Sequence, residues 1–376
     1  MRSACFLLFL PCLVTAAGQA PKQVSSASAD ELVRSGVEAQ RHGDLKAAIG
    51  DLRKAIAIEP DKVEAHAALG AALGAAGQFD AAIEEDTRAL AAEPDDTGVR
   101  MDLAMAYYKK GDVSHARSES ERIHAAHPLD VPAAVLLGYT YIKLGRESQA
   151  AELLSPLESG HESNMDLEYV LAFAQIQTGK YAEGLQRIEK VAAATHRADA
   201  WLIAGSTRLS QGQFHEARAD IEAAIAMNPS LPGVQTMLGQ ILYALGEKDA
   251  AISALQTGLR ADPRDFMANL YLGIIRMDQR DFESARPLLE FALQLQPTVP
   301  LARLKMAKLN SMTGNYAEAA KTLEDLEKSD PDWLDPHVEL ATLYYKLHRP
   351  EDGQRERGIV QKIGAEQQQA GPHRND

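Results

Sequence analysis

Three histidines crowd one short stretch: His115, His124 and His127. The spacing of the last two sets a pair of imidazoles on one side of a helix, which is half of a site for a divalent transition metal. No Cys-rich or carboxylate-rich companion motif supplies the other half, and no His-Glu-x-x-His arrangement occurs. Surface histidines are expected there, and no metal. Glu84, Glu85 and Asp86 are a second cluster to weigh, because paired carboxylates do general acid and base work. On a helix whose outer face is wet, they read instead as a solvated face. No Gly-rich phosphate loop, nucleophile elbow or dinucleotide fingerprint is present, so neither catalytic residues nor a cofactor are expected.

What the sequence does position, it positions by repetition. Between 63 and 96, Leu69, Gly70 and Leu73 stripe a first helix and Gly77 ends it. Phe79, Ala82 and Ile83 then open a second helix, which Pro94 stops. Such a hairpin cannot bury its apolar face alone and needs copies on both sides. Further copies begin at Ala29, Thr97, Val131, Met165, Ala198, Pro232, Phe266, Pro300 and Leu334, spaced by 34 residues except for 33 between Met165 and Ala198.

Equivalent positions agree across the copies. The eighth residue is always Gly or Ala, as in Gly36, Gly70, Ala104, Gly138 and Gly239, and so is the twentieth, as in Ala48, Ala82 and Gly184. Small side chains there let two helices approach closely. A turn glycine, such as Gly43, Gly77, Gly111 or Gly314, ends the first helix, with Arg280 and His348 as exceptions. Pro60, Pro94, Pro128, Pro229, Pro263, Pro297 and Pro331 follow the second, and Pro132, Pro232, Pro300 and Pro336 fall in the first turn of the next. Pro156 and the polar run to Asn164 read as a weakened joint. The polar second helix of the last repeat reads as a cap, and residues 366–376 as a disordered tail.

This pattern resembles the tetratricopeptide repeat family over nearly the whole chain from residue 29 to about 365. The resemblance implies an all-α, right-handed superhelical solenoid of about ten helix-turn-helix repeats, with residues 29–164 forming repeats 1–4 and residues 165–365 forming repeats 5–10. It also implies a concave groove lined by the first helix of each repeat, and a role in binding proteins or peptides. Lys and Asn at positions 5 and 9 of the first repeat hold a partner's terminal carboxylate in some members; here those positions are Val33 and Val37, so that clamp is absent.

Positions 2, 5, 9, 12 and 13 of each repeat project together, and by the resemblance they line the groove. In repeats 3–5 they include Met101, Met105, Tyr108, Val135, Tyr139, Ile142, Tyr169, Phe173 and Ile176, and in repeat 8 Met267, Leu270, Ile274 and Met277. An apolar and aromatic set of this kind suits a peptide gripped by anchors and adaptable methionines. Lys109, Lys143 and Lys346 share position 13 and could contact an acidic ligand, but a lysine isolated on a helix is usually only solvated.

Apolar residues make up 45% of the chain and aromatics 6%, which suits thin helix-on-helix layers. The formal charge of −14 makes nucleic acid an unsuitable partner. At the start, Arg2 precedes an apolar run from Cys5 to Ala17 and small residues to Ala20, which reads as a secretory signal peptide over residues 1–20 with cleavage after Ala17 or Ala20. Residues 21–28 read as a flexible lead-in. Both cysteines, Cys5 and Cys12, would leave with the leader. The expectation is therefore a non-catalytic periplasmic or secreted scaffold with no stable membrane span, binding a protein or peptide. Alternatives are a scaffold for envelope assembly or polysaccharide export, and a structural protein that associates with itself.

Overall fold

The structure, a computed structural model, describes residues 28–369. The expected signal peptide, the expected lead-in up to residue 27 and the part of the expected tail from residue 370 lie outside the described residues. Among the described residues there are twenty α-helices and no strand. The chain divides into two compact units, Met1–Glu119 and Ser120–Asp376.

The first unit contains α1 (Ala29–Arg41), α2 (Leu45–Ile58), α3 (Val63–Ala75), α4 (Phe79–Ala92) and α5 (Thr97–Lys110); the boundary cuts α6 (Val113–Ala126). The second unit continues with α7 (Val131–Lys143), α8 (Glu147–Leu154), α9 (Met165–Gln177), α10 (Tyr181–Thr195), α11 (Ala198–Ser210), α12 (Phe214–Met227) and α13 (Val234–Ala244). It ends with α14 (Lys248–Ala261), α15 (Phe266–Asp278), α16 (Phe282–Leu295), α17 (Pro300–Met312), α18 (Tyr316–Ser329), α19 (Leu334–Lys346) and α20 (Pro350–Gln369). Within each unit, helices pack on their sequence neighbours and the core is a series of thin layers. One layer joins Ala48, Leu52, Leu69, Leu73 and Ala82; another joins Leu242, Ala251, Leu255, Leu272 and Ile275.

Local chemistry sets the ends. Ser28 and Glu31 form a reciprocal capping box at the start of α1, and the Asp96, Asp130 and Asp265 carboxylates accept the Val99, Ala133 and Ala268 N–H groups at 2.9–3.0 Å. The turn glycines sit at positive φ, from 67° at Gly145 to 92° at Gly314. Arg280 and His348 adopt the same left-handed backbone at φ 59° despite their side chains.

The small eighth position accommodates the second helix of its own repeat. A Cβ on Gly36 would lie 2.6 Å from Leu52 Cγ and 3.2 Å from the Ala48 carbonyl oxygen; on Gly239 it would lie 2.5 Å from Leu255 Cγ. The turn between repeats has its own fastening. A helix end leaves carbonyls without partners, and at five of the nine junctions a side-chain donor meets the carbonyl three residues before the next first helix. His66 meets Pro60 O, Arg100 meets Pro94 O, Asn269 meets Pro263 O and His337 meets Pro331 O. Where Glu162 replaces the proline, Lys190 reaches its carbonyl at 2.6 Å.

Nine first helices begin at the residue the repeat spacing gives; α13 does not. Pro232 lies in a turn rather than in the first helical turn, because Gly233 takes φ 76° and delays the helix to Val234. Pro156 does end its helix early, at Leu154, followed by a 3₁₀ turn over Ser155–Leu157. That segment is tied down, however: Leu157 is buried, and Arg187 reaches Glu158 at 2.6 Å. The division into compact units falls at 119/120, so residues 155–164 lie inside the second unit. The last helix runs to Gln369, beyond the 365 boundary, and Glu356 and Ile363 on it are buried.

Candidate functional site

An open pocket of about 520 Å³ lies on the α3 and α5 face of the first unit. Its wall is made by small residues. Gly70, Ala71, Gly74 and Ala75 of α3 lie opposite Asp102, Met105, Ala106 and Lys109 of α5, with Gln40 and Phe79 at the sides. Ala71 occupies the repeat position that Met105, Tyr139 and Phe173 fill elsewhere, and Gly74 that of Ile142 and Ile176, so the space is what such side chains would have filled. Met105 is 40% exposed at this pocket, and Lys109 is exposed and makes no ion pair among the described residues. Met101 and Tyr108, on the same helix, are partly buried.

One acidic group, Asp86, lies behind this wall and another, Asp102, on it. Asp86 is fully buried, neither carboxyl oxygen has a hydrogen-bond partner, and burial, followed by the charges of Asp102 and Glu85, pushes its pKa up to about 8. Burial also raises Asp102, with Asp96 adding to the effect. The expectation of a solvated acidic face therefore holds only for Glu84. Successive helical residues turn by 100°, which carries Glu85 to His66, 2.5 Å away, and Asp86 onto Gly70.

In the second unit, the predicted residues of α7 and α9 divide. Val135 and Ile176 are buried in the helix layers, whereas Tyr139, Ile142, Tyr169 and Phe173 keep part of their surface. Tyr139 and Tyr169 lie 6.2 Å apart between ring centroids, and the Arg197 guanidinium stacks 3.8 Å above Tyr169. Asp199 fixes this arrangement, accepting from Arg197 at 2.7 Å and from the Tyr169 hydroxyl at 3.2 Å. Burial, with Asp199 second, raises the Tyr169 phenol, while hydrogen bonding to Asp199 raises Arg197.

The repeat 8 set is mostly core. Leu270, Ile274 and Met277 are buried in a layer with Leu289 and Leu309, so only Met267, 42% exposed, is available from solvent. The large exposed apolar residues that sequence reasoning passed over include Met312 and Val338, both at groove positions of the later repeats. The small residues of the first-unit pocket were also missed, although the run Leu69–Gly77 carried the signal.

The two histidines of the pair do not share a helix. His127 falls past the end of α6, and His115 stacks on Tyr107 and bonds Asp112. No helix among the described residues is long and apolar enough to cross a membrane.

Sequence models described as tetratricopeptide repeat match residues 33–97, 75–126, 169–232, 204–266, 236–300 and 276–341. The peroxisomal targeting signal receptor of Candida glabrata is 34% identical over 92 residues, which are 24% of this chain and 16% of that protein. Anaphase-promoting complex subunit 3 of Schizosaccharomyces pombe is 21% identical over 150 residues, 40% of this chain and 23% of that one. The chain thus spans less than a quarter of the length of these curated relatives. Among solved structures, a tetratricopeptide repeat protein from Parabacteroides merdae shares the fold with a TM-score of 0.53 at 19% identity, over 66% of this chain and 98% of the other.

Proposed function

The chain belongs to the tetratricopeptide repeat family, and from that premise we propose that it is a non-catalytic scaffold, periplasmic or secreted, that holds a peptide segment of a protein partner on its first-helix face. The observation that carries this reading is the small-residue pocket over α3, with exposed Met105 and unpaired Lys109 at its edge. An aliphatic or aromatic side chain of the partner enters over Gly70, Ala71 and Gly74. Met105 adapts to its shape, and Lys109 pairs with a neighbouring carboxylate. The proposed location rests on the Arg2-led apolar run and small residues of the leader.

One anchor of leucine size contributes about 1.5–3 kcal/mol, well short of the roughly 8 kcal/mol of a micromolar complex. Further contacts are therefore required. The second unit carries a set of its own: Tyr139, Tyr169 and Phe173 are aromatic contacts there, and exposed Met267, Met312 and Val338 add apolar surface at its groove positions. The test is affinity capture from the extracytoplasmic fraction with wild type, Gly74→Leu and Tyr139→Glu/Phe173→Glu, each first shown folded by its helical signal and melting curve. A protein recovered by wild type and lost with either variant supports the reading. Equal recovery by all three places the binding face elsewhere. Concentration-dependent mass by light scattering, with no protein recovered, replaces partner binding by self-association.

A further inference from the structure

The packing of α18, α19 and α20 brings together three groups that lie far apart in sequence. The ligand atoms of Glu327, His337 and Glu356 all fall within 4.8 Å of one another, and His337 and Glu356 are buried. His337 is held from both sides. Its Nε2 lies 3.0 Å from the Pro331 carbonyl oxygen, which can only accept, so Nε2 is the donor. Its Nδ1 faces Glu356 Oε2 at 2.8 Å. A lone pair and a carboxylate oxygen at that distance repel unless a proton or a cation stands between them. A backbone carbonyl accepting from the far ring nitrogen is also how proteins orient a metal-ligating histidine.

Two further observations favour a cation. Glu356 Oε1 is buried and has no hydrogen-bond partner; Arg355 Nε approaches it only at 3.5 Å and that guanidinium is bound to Asp352 at 2.7 Å. The chain also provides internal comparisons at the same repeat positions. In the first unit, His66 bonds Glu85 and the Pro60 carbonyl in the same way, but Ile56 stands where Glu327 does, and a proton suffices. Earlier in the second unit, Glu158 and Glu168 stand at the places of Glu327 and His337, and there a guanidinium, Arg187, fills the centre at 2.6 and 2.8 Å. Where two acids converge on this position, a cation joins them.

We propose that Glu327, His337 and Glu356 form a binding site for a divalent transition metal of the zinc class, which ties the terminal helix α20 to the preceding repeat. One nitrogen and two carboxylate oxygens suit zinc and leave a fourth position for water. Tetrahedral ligation at about 2.0 Å requires Nδ1 and Oε2 to open to about 3.3 Å, which small side-chain rotations supply. Protons compete for the same atoms, so affinity falls as the solution is acidified.

The test uses the full chain without an affinity tag, stripped with a chelator and titrated with Zn²⁺ while melting is followed; Co²⁺ replaces zinc for visible absorption. One equivalent should bind, and melting should rise by about 5 °C at a hundredfold excess over Kd. Glu327→Ile copies the arrangement around His66, so it is expected to fold; it should abolish both the shift and the cobalt bands, and Glu327→Gln should do the same. Absence of stoichiometric binding to the wild type would overturn the site. So would a zinc response that persists in Glu327→Ile.

Discussion

The carboxyl group of Asp86 rests on the backbone of Gly70, where the other glycine-bearing repeats place a leucine or isoleucine. Leu52 covers Gly36, Leu154 covers Gly138, Ile221 covers Gly205, Leu255 covers Gly239 and Leu289 covers Gly273. A position built for hydrocarbon thus holds an acid without a hydrogen-bond partner, directly behind the wall of the first-unit pocket.

Asp86 makes the first unit pH-sensitive. Its folded pKa of about 8 stands above the unfolded value of 3.8, so the folded state holds the proton longer. The stability it contributes is complete below about pH 4, declines by up to about 1.4 kcal/mol per pH unit as pH rises, and levels off above about pH 8. Asp86→Leu should remove that slope, with a gain in melting temperature that grows from pH 5 to pH 8. Parallel profiles for wild type and variant would show that the acid is not held protonated.

Arg280 occupies a turn where glycine stands in most other repeats, at φ 59°. Arg280→Gly relieves a left-handed backbone at a modest entropic cost in the unfolded chain, for a net gain of about 0.5–1 kcal/mol in chemical denaturation. The converse change at the equivalent site, Gly314→Arg at φ 92°, should destabilise by a similar amount.

The segment 155–164 is held by Arg187 and Lys190. Glu168, whose side chain is 2% exposed, accepts from both, and the same two bases reach Glu158 and the Glu162 carbonyl. Arg187→Met leaves a buried carboxylate half-compensated, with an expected loss of about 3 kcal/mol. Limited proteolysis should then cut within 155–164, where the wild type resists.

The repeat architecture was legible because each 34-residue unit restates the same constraints: a small eighth position, a turn glycine and a closing proline. Nine helix starts follow directly from it. Its failures have local causes. Gly233 reset the start of α13, and Asp86 looked solvated until the helix turned it inward. The aromatic residues of the proposed surface could be read by position, but burial could not, because Leu270 and Met105 share the same face pattern and only the packing of neighbouring helices covers one and exposes the other. A pocket formed by missing side chains and a triad assembled from three helices leave little contiguous signal.

Gly74 offers a variant that separates binding from stability. A Cβ there meets only Ala82 Cβ at 3.9 Å, and replacing a glycine in the last turn of α3 gains part of the roughly 0.8–1.0 kcal/mol of helix propensity that applies in a helix interior. Gly74→Leu should therefore melt no lower than wild type while filling the pocket.

The most direct measurement places a photoreactive phenylalanine analogue at Met105, beside the pocket, and in a parallel protein at exposed Ile58, outside it. Each is irradiated in the extracytoplasmic fraction, with and without Gly74→Leu. The account predicts a discrete cross-linked peptide at position 105, none at 58, and loss of the product when the pocket is filled. Equal labelling at both positions, or labelling at 105 that Gly74→Leu leaves intact, would contradict it.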